Sequence, residues 1–519
     1  MQSKIAHAAE RKAFSVALDQ IIKAGSAPDR EKNLDKLVDM ASNLLKDTAP
    51  AVSRGLKTYL YPGSKWEQYL WDAIDNVDHH VLKMAILNGA YEAGFRGLRT
   101  TTENAAKYGC NVPWIILFDP TSACNKHCIG CWAGEYGNRL NLTYDEMDKL
   151  VTEASELGCH FFMLTGGEPL VRKRDIVRLA EAHQDCLFNI FTNATLIDQA
   201  FCDDVRRVGN IVFSVSLEGS SEMNDSRRGE GSYDEAMAAF DLLHKNGLAF
   251  GTSTAYTRAN VYEVSSDEYF DTIIEKGALW AWYFHYMPVG QGASVDLAPT
   301  PDQREYMLRR IREVRGSEDG KKIFAMDFQN DGEFVRGCIA GGRVYCHVNA
   351  RGDVEPCVFI HYSNANIKEM SFLECLQQPL FKSYRSHFPW NENLLQPCPM
   401  LENPDVLLDM VHESGAHSTE YVEPESVECL CERTRPYAEA WEERAERIWL
   451  ESHPTGQKVY EDTITTTRPE GKAANLAEQD ALIDEQILAA AGIEGAGAEG
   501  SAAAEAAPAE ERELMGAAK

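Results

Sequence analysis

The sequence predicts an α/β fold: an incomplete parallel (β/α)6 barrel of the TIM type, with a helical region before it and a small α+β domain after it. Three observations carry this. From about residue 112 to 320, short β-type runs alternate with amphipathic stretches six times. The first 110 residues show helical spacing of apolar residues and no strand runs. Beyond about 320 the chain turns cysteine-rich and turn-rich.

Taken in order, "EKNLDKLVDMASNLLKD" and "DAIDNVDHHVLKMAILNGAYEAG" carry apolar residues three and four apart, so residues 1–110 form a helical N-terminal region. The strands of the barrel, residues 111–318, are expected in "PWIILFDPT", "HFFMLTGGEP", "LFNIFTNAT", "NIVFSVSLEG", "AFGTSTAYT" and "LWAWYFHYMPVG". Helices between them open on the capping-box pairs Thr143/Glu146 and Ser232/Glu235 and close at Gly158, Gly247 and Gly277. Six units without a reversal of order fit a barrel better than a doubly wound sheet, and consecutive parallel strands require right-handed crossovers. Residues 319–465 form the third domain, with a hairpin in "RVYCHVNARGDVEPCVFIHY" that turns at 350–353. Residues 466–519 are rich in Ala, Gly and Glu, bury too little apolar surface to order themselves, and are expected to be a disordered acidic tail.

The chain has 519 residues and a formal net charge of −29, which disfavours nucleic acid and anionic membrane as partners. No apolar run is long enough to span a bilayer, and the start lacks a secretory signal's apolar core, so the expected location is the cytoplasm. In that reducing compartment the 14 cysteines read as metal ligands and buried thiols rather than disulfides. Barrel logic places chemistry at the C-terminal ends of strands. There stand "SACNKHCIGCW", "TGGEP", "TNAT" and "SLEG". Cys124, Cys128 and Cys131 are three thiols on one loop. A closed structural zinc site takes four ligands, whereas three suit a 4Fe-4S cluster that keeps one iron open.

This CxxxCxxC loop after the first barrel strand resembles the radical S-adenosylmethionine (radical SAM) superfamily over residues 112–320. The resemblance implies a partial TIM-like radical SAM barrel with a 4Fe-4S cluster on Cys124, Cys128 and Cys131 and S-adenosylmethionine as second cofactor. "TGGEP" matches the family's GGE motif, so Gly166, Gly167 and Glu168 are assigned to the methionyl amino group. By the same resemblance Ser216 and Arg228 lie near the sugar or the methionyl carboxylate, Trp132 lies against the adenine, and Asn193 belongs to the third-strand motif. "FGTSTAYT" matches the fifth-strand motif only loosely, and no residue is assigned from it. The implied reaction is reductive cleavage of S-adenosylmethionine to methionine and a 5′-deoxyadenosyl radical that abstracts hydrogen from an unactivated carbon.

"GCIAGGRVYCHVNARGDVEPC" resembles the start of the SPASM auxiliary-cluster domain or its shorter twitch relative. The full two-cluster form carries CxxC-x5-CxxxC, which is missing around "PCPMLENP". One auxiliary 4Fe-4S cluster is therefore expected, held by Cys338, Cys357, Cys398 and Cys431, with Cys346 and Cys429 as alternates and zinc as the competing metal. Cys375, Cys110, Cys159, Cys186 and Cys202 are expected to be buried hydrophobes.

The expected function is a radical SAM oxidoreductase, working without oxygen, on a peptide or protein substrate. The alternatives are a small molecule such as a cofactor precursor or lipid, and a non-catalytic iron–sulfur carrier or redox sensor. An apolar cavity is expected along "LWAWYFHYMPVG", with His285 and Tyr286 as weak catalytic candidates and Trp280 and Trp282 as packing residues. A low-potential donor such as a flavodoxin or ferredoxin is the expected electron source. The N-terminal region lacks the strands of a winged-helix leader binder, which leaves a lid, a docking surface or a dimer interface as its roles.

Overall fold

The computed structural model describes residues 4–45, 50–290, 292–316 and 320–452. The expected acidic tail lies outside the described residues. Seven parallel strands follow one another in the order of the sequence: β1 (Ile115–Phe118), β2 (Phe161–Leu164), β3 (Leu187–Thr192), β4 (Ile211–Ser216), β5 (Phe250–Tyr256), β6 (Trp280–His285) and β7 (Phe324–Asp327). On the other side of β1 lies β8 (Tyr345–Val348), also parallel to it, and β9 (Val354–Glu355) runs antiparallel to β8. The six expected strand–helix units are all present, and the turn at 350–353 closes the β8–β9 hairpin. Two features were not expected. The parallel sheet continues past residue 318 into β7, and β8 joins the barrel sheet beside β1.

Alternation along the strands sorts the side chains. Ile116, Phe118, Phe162, Leu164, Phe188 and Ile190 are fully buried under the outer helices. Each such aromatic or aliphatic side chain contributes about 1.5–3 kcal/mol by leaving water. Ile115, Leu117, Met163, Phe191, Trp282 and Phe284 have the opposite parity and face inward. The helix Tyr144–Leu157 has its capping box at Thr143 and Glu146. The second expected box does not form. The helix starts at Ser232 itself, capped by Gly231, and the Ser232 hydroxyl donates to Asp225 and to the Gly229 carbonyl.

The N-terminal helices (Lys4–Gly25, Leu34–Leu45, Pro50–Tyr59, Lys65–Asn76, His79–Ile86 and Leu98–Tyr108) are joined before the last by a π-helical stretch, Leu87–Gly97. This stretch docks at the N-terminal ends of the strands. Asn88 Nδ2 donates to the Cys186 carbonyl at 2.9 Å, and Trp114 Nε1 donates to the Ala93 carbonyl at 2.6 Å. A Cβ at Gly97 would stand 2.7 Å from the Gly158 oxygen, so only glycine permits this approach. The region thus closes the bottom of the barrel, at the opposite end from the cysteine loop, and the lid role is corrected.

The C-terminal part adds the helices Phe372–Leu376, Pro379–His387, Pro404–Ser414 and Val427–Ser452. All 14 cysteines are free thiols. Among the described residues no helix is long and apolar enough to cross a membrane.

Candidate active site

The loops after β1 to β6 surround a cavity of about 210 Å³ inside the sheet. It is lined at one end by Cys124, Cys128, Cys131, Trp132, Gly166, Gly167, Glu168, Asn193, Ser216 and Arg228, so the expected core-site residues share one cavity. Small residues on β4 and β5, Ser216, Ser253 and Ala255, keep its interior open. Lower in the barrel the Trp280 ring lies over Gly251 and donates to Ser214 Oγ at 3.1 Å, which plugs the bottom, as expected of a packing residue. Trp282 instead lines the cavity, beside Phe191 and stacked on Phe284 at 5.7 Å.

The cysteine loop is strapped to its neighbours by backbone bonds. The amides of Gly167 and Glu168 donate to the carbonyls of Thr121 (3.0 Å) and Ala123 (2.8 Å), and the Ile129 amide donates to the Arg227 carbonyl at 2.9 Å. A Cβ on Gly166 would lie 2.5 Å from the Thr121 oxygen, and one on Gly167 would lie 2.3 Å from the Ala123 oxygen. The two glycines are therefore the contact surface between "TGGEP" and the cysteine loop. Glu168 is buried and accepts from Thr192 Oγ1 (2.6 Å), the Asn193 amide (2.8 Å) and the Leu170 amide (3.0 Å), which joins the ends of β2 and β3. Burial pushes its carboxyl up, against those donors. Asn193 Nδ2 donates to Asn125 Oδ1 at 2.9 Å, inside the cysteine loop.

Arg228 and Arg227 converge on Glu218, each with one nitrogen at 2.6 and 2.5 Å from Oε1. Burial would raise the Glu218 carboxyl, but the two guanidinium charges outweigh it and hold it low. Glu218 was missed in the sequence, although "SLEG" ends a barrel strand where chemistry was expected. Trp132 is edge-on to His347 at 5.6 Å. His347 sits between Asp119 (3.0 Å) and Glu355 (2.6 Å). Burial lowers its pKa, yet these two carboxylates overcome that and hold it at about 10, so a fixed imidazolium lies beneath the tryptophan.

The two weak catalytic candidates part here. His285 Nδ1 lies 2.6 Å from the Tyr286 carbonyl and must donate to it, so Nε2 accepts from the Tyr437 hydroxyl, also at 2.6 Å. Both ring nitrogens are occupied, and burial drives the ring neutral. His285 also lines the cavity, but both of its ring nitrogens are engaged by protein partners. Tyr286 remains: it lines the cavity against Gly130 and accepts from the Ser294 amide at 3.4 Å.

A second group of cysteines lies across the cavity wall. Cys338, Cys357, Cys398 and Cys431 belong to one cluster of packed side chains. Tyr384 packs in the same cluster, and burial raises its phenol well above its usual value. Cys346 has the outward parity of β8 and is fully buried on the other side of the sheet, near Cys159 and Cys375. Cys429 is exposed. Neither alternate packs with these four. Cys110, Cys159, Cys186, Cys202 and Cys375 are all buried, as expected.

The model of the radical SAM superfamily matches residues 118–275, and that of SPASM, an iron–sulfur cluster-binding domain, matches residues 338–400. These matches give the chain a radical SAM domain followed by a SPASM domain. AdoMet-dependent heme synthase of Methanosarcina barkeri is 26% identical over 343 residues, which cover 61% of this chain and 96% of that one. Mycofactocin maturase MftC of Mycolicibacterium smegmatis is 28% identical over 272 residues, 48% of this chain and 66% of that one. SuiB of Streptococcus suis, solved with S-adenosylmethionine, shares the fold at a TM-score of 0.50 and 19% identity, over 63% of this chain and 80% of that one.

A radical SAM domain implies a 4Fe-4S cluster and S-adenosylmethionine, and SPASM implies auxiliary iron–sulfur binding. The side chains fit both. At the core site Glu218 Oε2, Arg227 Nε and Arg228 Nε are buried without a hydrogen-bond partner, so the charged groups keep capacity for a polar ligand. At the second site the Tyr384 hydroxyl, in the same packed cluster as the four cysteines, is buried and also has no partner, a cost of about 1–3 kcal/mol unless something there accepts its proton.

Proposed function

We propose that the protein removes hydrogen from an apolar small molecule that enters the inner cavity. The observation that carries this reading is the division of the cavity. One end holds the three cysteines and the polar groups matched to S-adenosylmethionine. The rest is hydrocarbon and aromatic: Leu117, Met163, Phe191, Trp282, Phe284 and Phe328. A wall with so few hydrogen-bonding groups selects a substrate by shape and apolar contact. The likeness to a heme synthase over nearly all of its length supports the same choice.

In this reading Cys124, Cys128 and Cys131 hold the core cluster, and Cys338, Cys357, Cys398 and Cys431 hold one auxiliary cluster. The bound cofactors supply a one-electron route to a primary carbon radical. The chain's own residues do the rest. Gly166 and Gly167 fix the cysteine loop, Glu168 ties the ends of β2 and β3 around the cofactor's amino group, and Arg228 offers a cation to its carboxylate. Ser216 and Asn193 add hydrogen bonds, and Trp132, braced by His347, presents a face for the adenine. The apolar wall excludes water from the reacting carbon. The Tyr286 hydroxyl lies against Gly130 of the cysteine loop and is the protic group assigned to the reaction. Electrons come from a flavodoxin or ferredoxin in a reducing cytoplasm, delivered at the exposed face of the cysteine loop at Asn125, His127 and Ile129.

A second reading, a peptide substrate with an apolar side chain in the cavity, is favoured by the likeness to a maturase. The experiment that separates them is anaerobic. The reconstituted enzyme receives dithionite and S-adenosylmethionine, and 5′-deoxyadenosine is measured with an organic-solvent extract of cells or with their peptide fraction. Stimulation by the organic extract, lost in Cys124→Ala, supports the small molecule. Stimulation by peptides alone moves the assignment to the second reading. No 5′-deoxyadenosine from a fully iron-loaded chain under either condition leaves a carrier or sensor.

A further inference from the structure

We infer that Tyr345 and Tyr384 donate hydrogen bonds to the auxiliary centre and raise its reduction potential, and that Tyr345 also forms part of the substrate cavity wall. This rests on the reading that Cys338, Cys357, Cys398 and Cys431 hold a cluster.

Tyr345 stands on β8 with the inward parity, opposite Ile115 of β1. Its ring lines the cavity and meets Phe328 edge-on at 6.3 Å. Its hydroxyl accepts from the Val358 amide at 2.6 Å. With that lone pair used, its own proton is directed at Cys357 Sγ, 3.2 Å away. One side chain therefore touches both the cavity and an auxiliary ligand. Tyr384 approaches the same centre from the helix Pro379–His387. Gly341, at φ +65°, lets the ring in, because a Cβ there would lie 2.7 Å from it. Trp390 braces the ring edge-on at 5.8 Å. The Tyr384 hydroxyl is buried and no protein atom accepts its proton, while Cys338, Cys357, Cys398 and Cys431 belong to the same packed cluster as its ring. Cluster sulfur is the acceptor that this arrangement lacks.

A donor beside cluster sulfur stabilises the extra negative charge of the reduced state, so each hydroxyl moves the potential upward. A higher potential suits a centre that takes an electron from the substrate side, and Tyr345 brings that side into contact with Cys357. Both tyrosines are positioning residues, since they act through the centre rather than on substrate.

The test uses the full chain carrying Cys124→Ser, Cys128→Ser and Cys131→Ser, so that the auxiliary centre alone remains. It is reconstituted without oxygen, its iron is counted, and its potential is measured by EPR-monitored redox titration, with and without Tyr384→Phe, Tyr345→Phe or both. The expected result is unchanged iron, a more negative potential in each variant, and the largest shift in the double variant. An exchangeable-proton coupling, read by ENDOR after transfer to D2O, is expected in the parent and weakened in each variant. Unchanged potentials and couplings at full iron content would overturn the inference. So would loss of iron in the phenylalanine variants, because the tyrosines would then serve packing alone. A parent chain that holds no iron would instead overturn the ligand set.

Discussion

The two proposed cysteine centres are built in opposite ways. The core centre takes three thiols from one loop between β1 and the helix Tyr144–Leu157, and that loop is held by backbone bonds to glycines. The auxiliary centre takes its four thiols from separate places: Cys338 before β8, Cys357 after β9, Cys398 in a loop, and Cys431 in the last helix. The first is partly exposed and faces a cavity. In the second, Cys357 and Cys431 are buried and Cys338 and Cys398 partly exposed, all four packed among apolar side chains, with Tyr345 donating to Cys357. A catalytic centre needs an open position and a path for substrate. A centre that only exchanges electrons gains from burial and fixed donors.

The comparison breaks most sharply at Cys124. Cys124→Ala is expected to bring 5′-deoxyadenosine below detection while the auxiliary iron remains, and iron analysis with product quantitation checks both. Next in size is Gly167→Ala. Its Cβ would meet the Ala123 oxygen at 2.3 Å, so the cysteine loop must shift. A displacement near 1 Å in reacting groups costs on the order of 100-fold in rate. A comparable loss of 5′-deoxyadenosine formation is expected, and a rate within about threefold of wild type would show that the strap is not needed. Third, Cys357→Ala is expected to reduce iron from about eight to about four atoms per chain, one cluster's worth. Cys346→Ala is expected to retain all the iron and lose about 1 kcal/mol of stability as a buried thiol. If Cys346→Ala loses iron and Cys357→Ala does not, the ligand set is wrong.

The same contrast explains what was legible in the sequence. The core loop could be read because its ligands lie close together and each flanking strand is a short apolar run bounded by turn residues. The auxiliary set was read through family resemblance. The choice between Cys357 and Cys346 needed the parity of β8, which is fixed by its pairing with β1. That pairing is non-local and parallel, and nothing in "VYCHV" announces it. β7 was missed because four residues inside a turn-rich stretch carry too little pattern. The position of the N-terminal helices was also out of reach. It depends on contacts such as Asn88 with Cys186 and Gly97 with Gly158, which a helical period cannot specify. Glu218 sat in "SLEG" at a strand end but only its burial with Arg227 and Arg228 singles it out, and Tyr384 carried no motif, so only burial and a missing partner mark it.

The smallest effect expected lies at the edge of the cavity sheet. Asp327 ends β7, fully buried, and accepts from the Tyr256 hydroxyl at 3.2 Å and from Asn330 Nδ2 at 2.8 Å. Burial, then the charge of Asp331, pushes its carboxyl from the model-peptide 3.8 up to about 7. The folded chain therefore binds a proton that the unfolded chain has released between about pH 4 and 7. Stability from this group falls as pH rises through that window, and above about pH 7 the whole cost of the buried charge is present, at most about 4 kcal/mol. Asp327→Asn keeps an oxygen acceptor and carries no charge. At pH 4.5 the variant is expected to unfold slightly below wild type, by about 1 kcal/mol for the imperfectly partnered amide. By pH 7.5 the order reverses and the variant is the more stable. Thermal midpoints of the two proteins across this range check the crossing, and parallel curves would mean that Asp327 is ionised throughout.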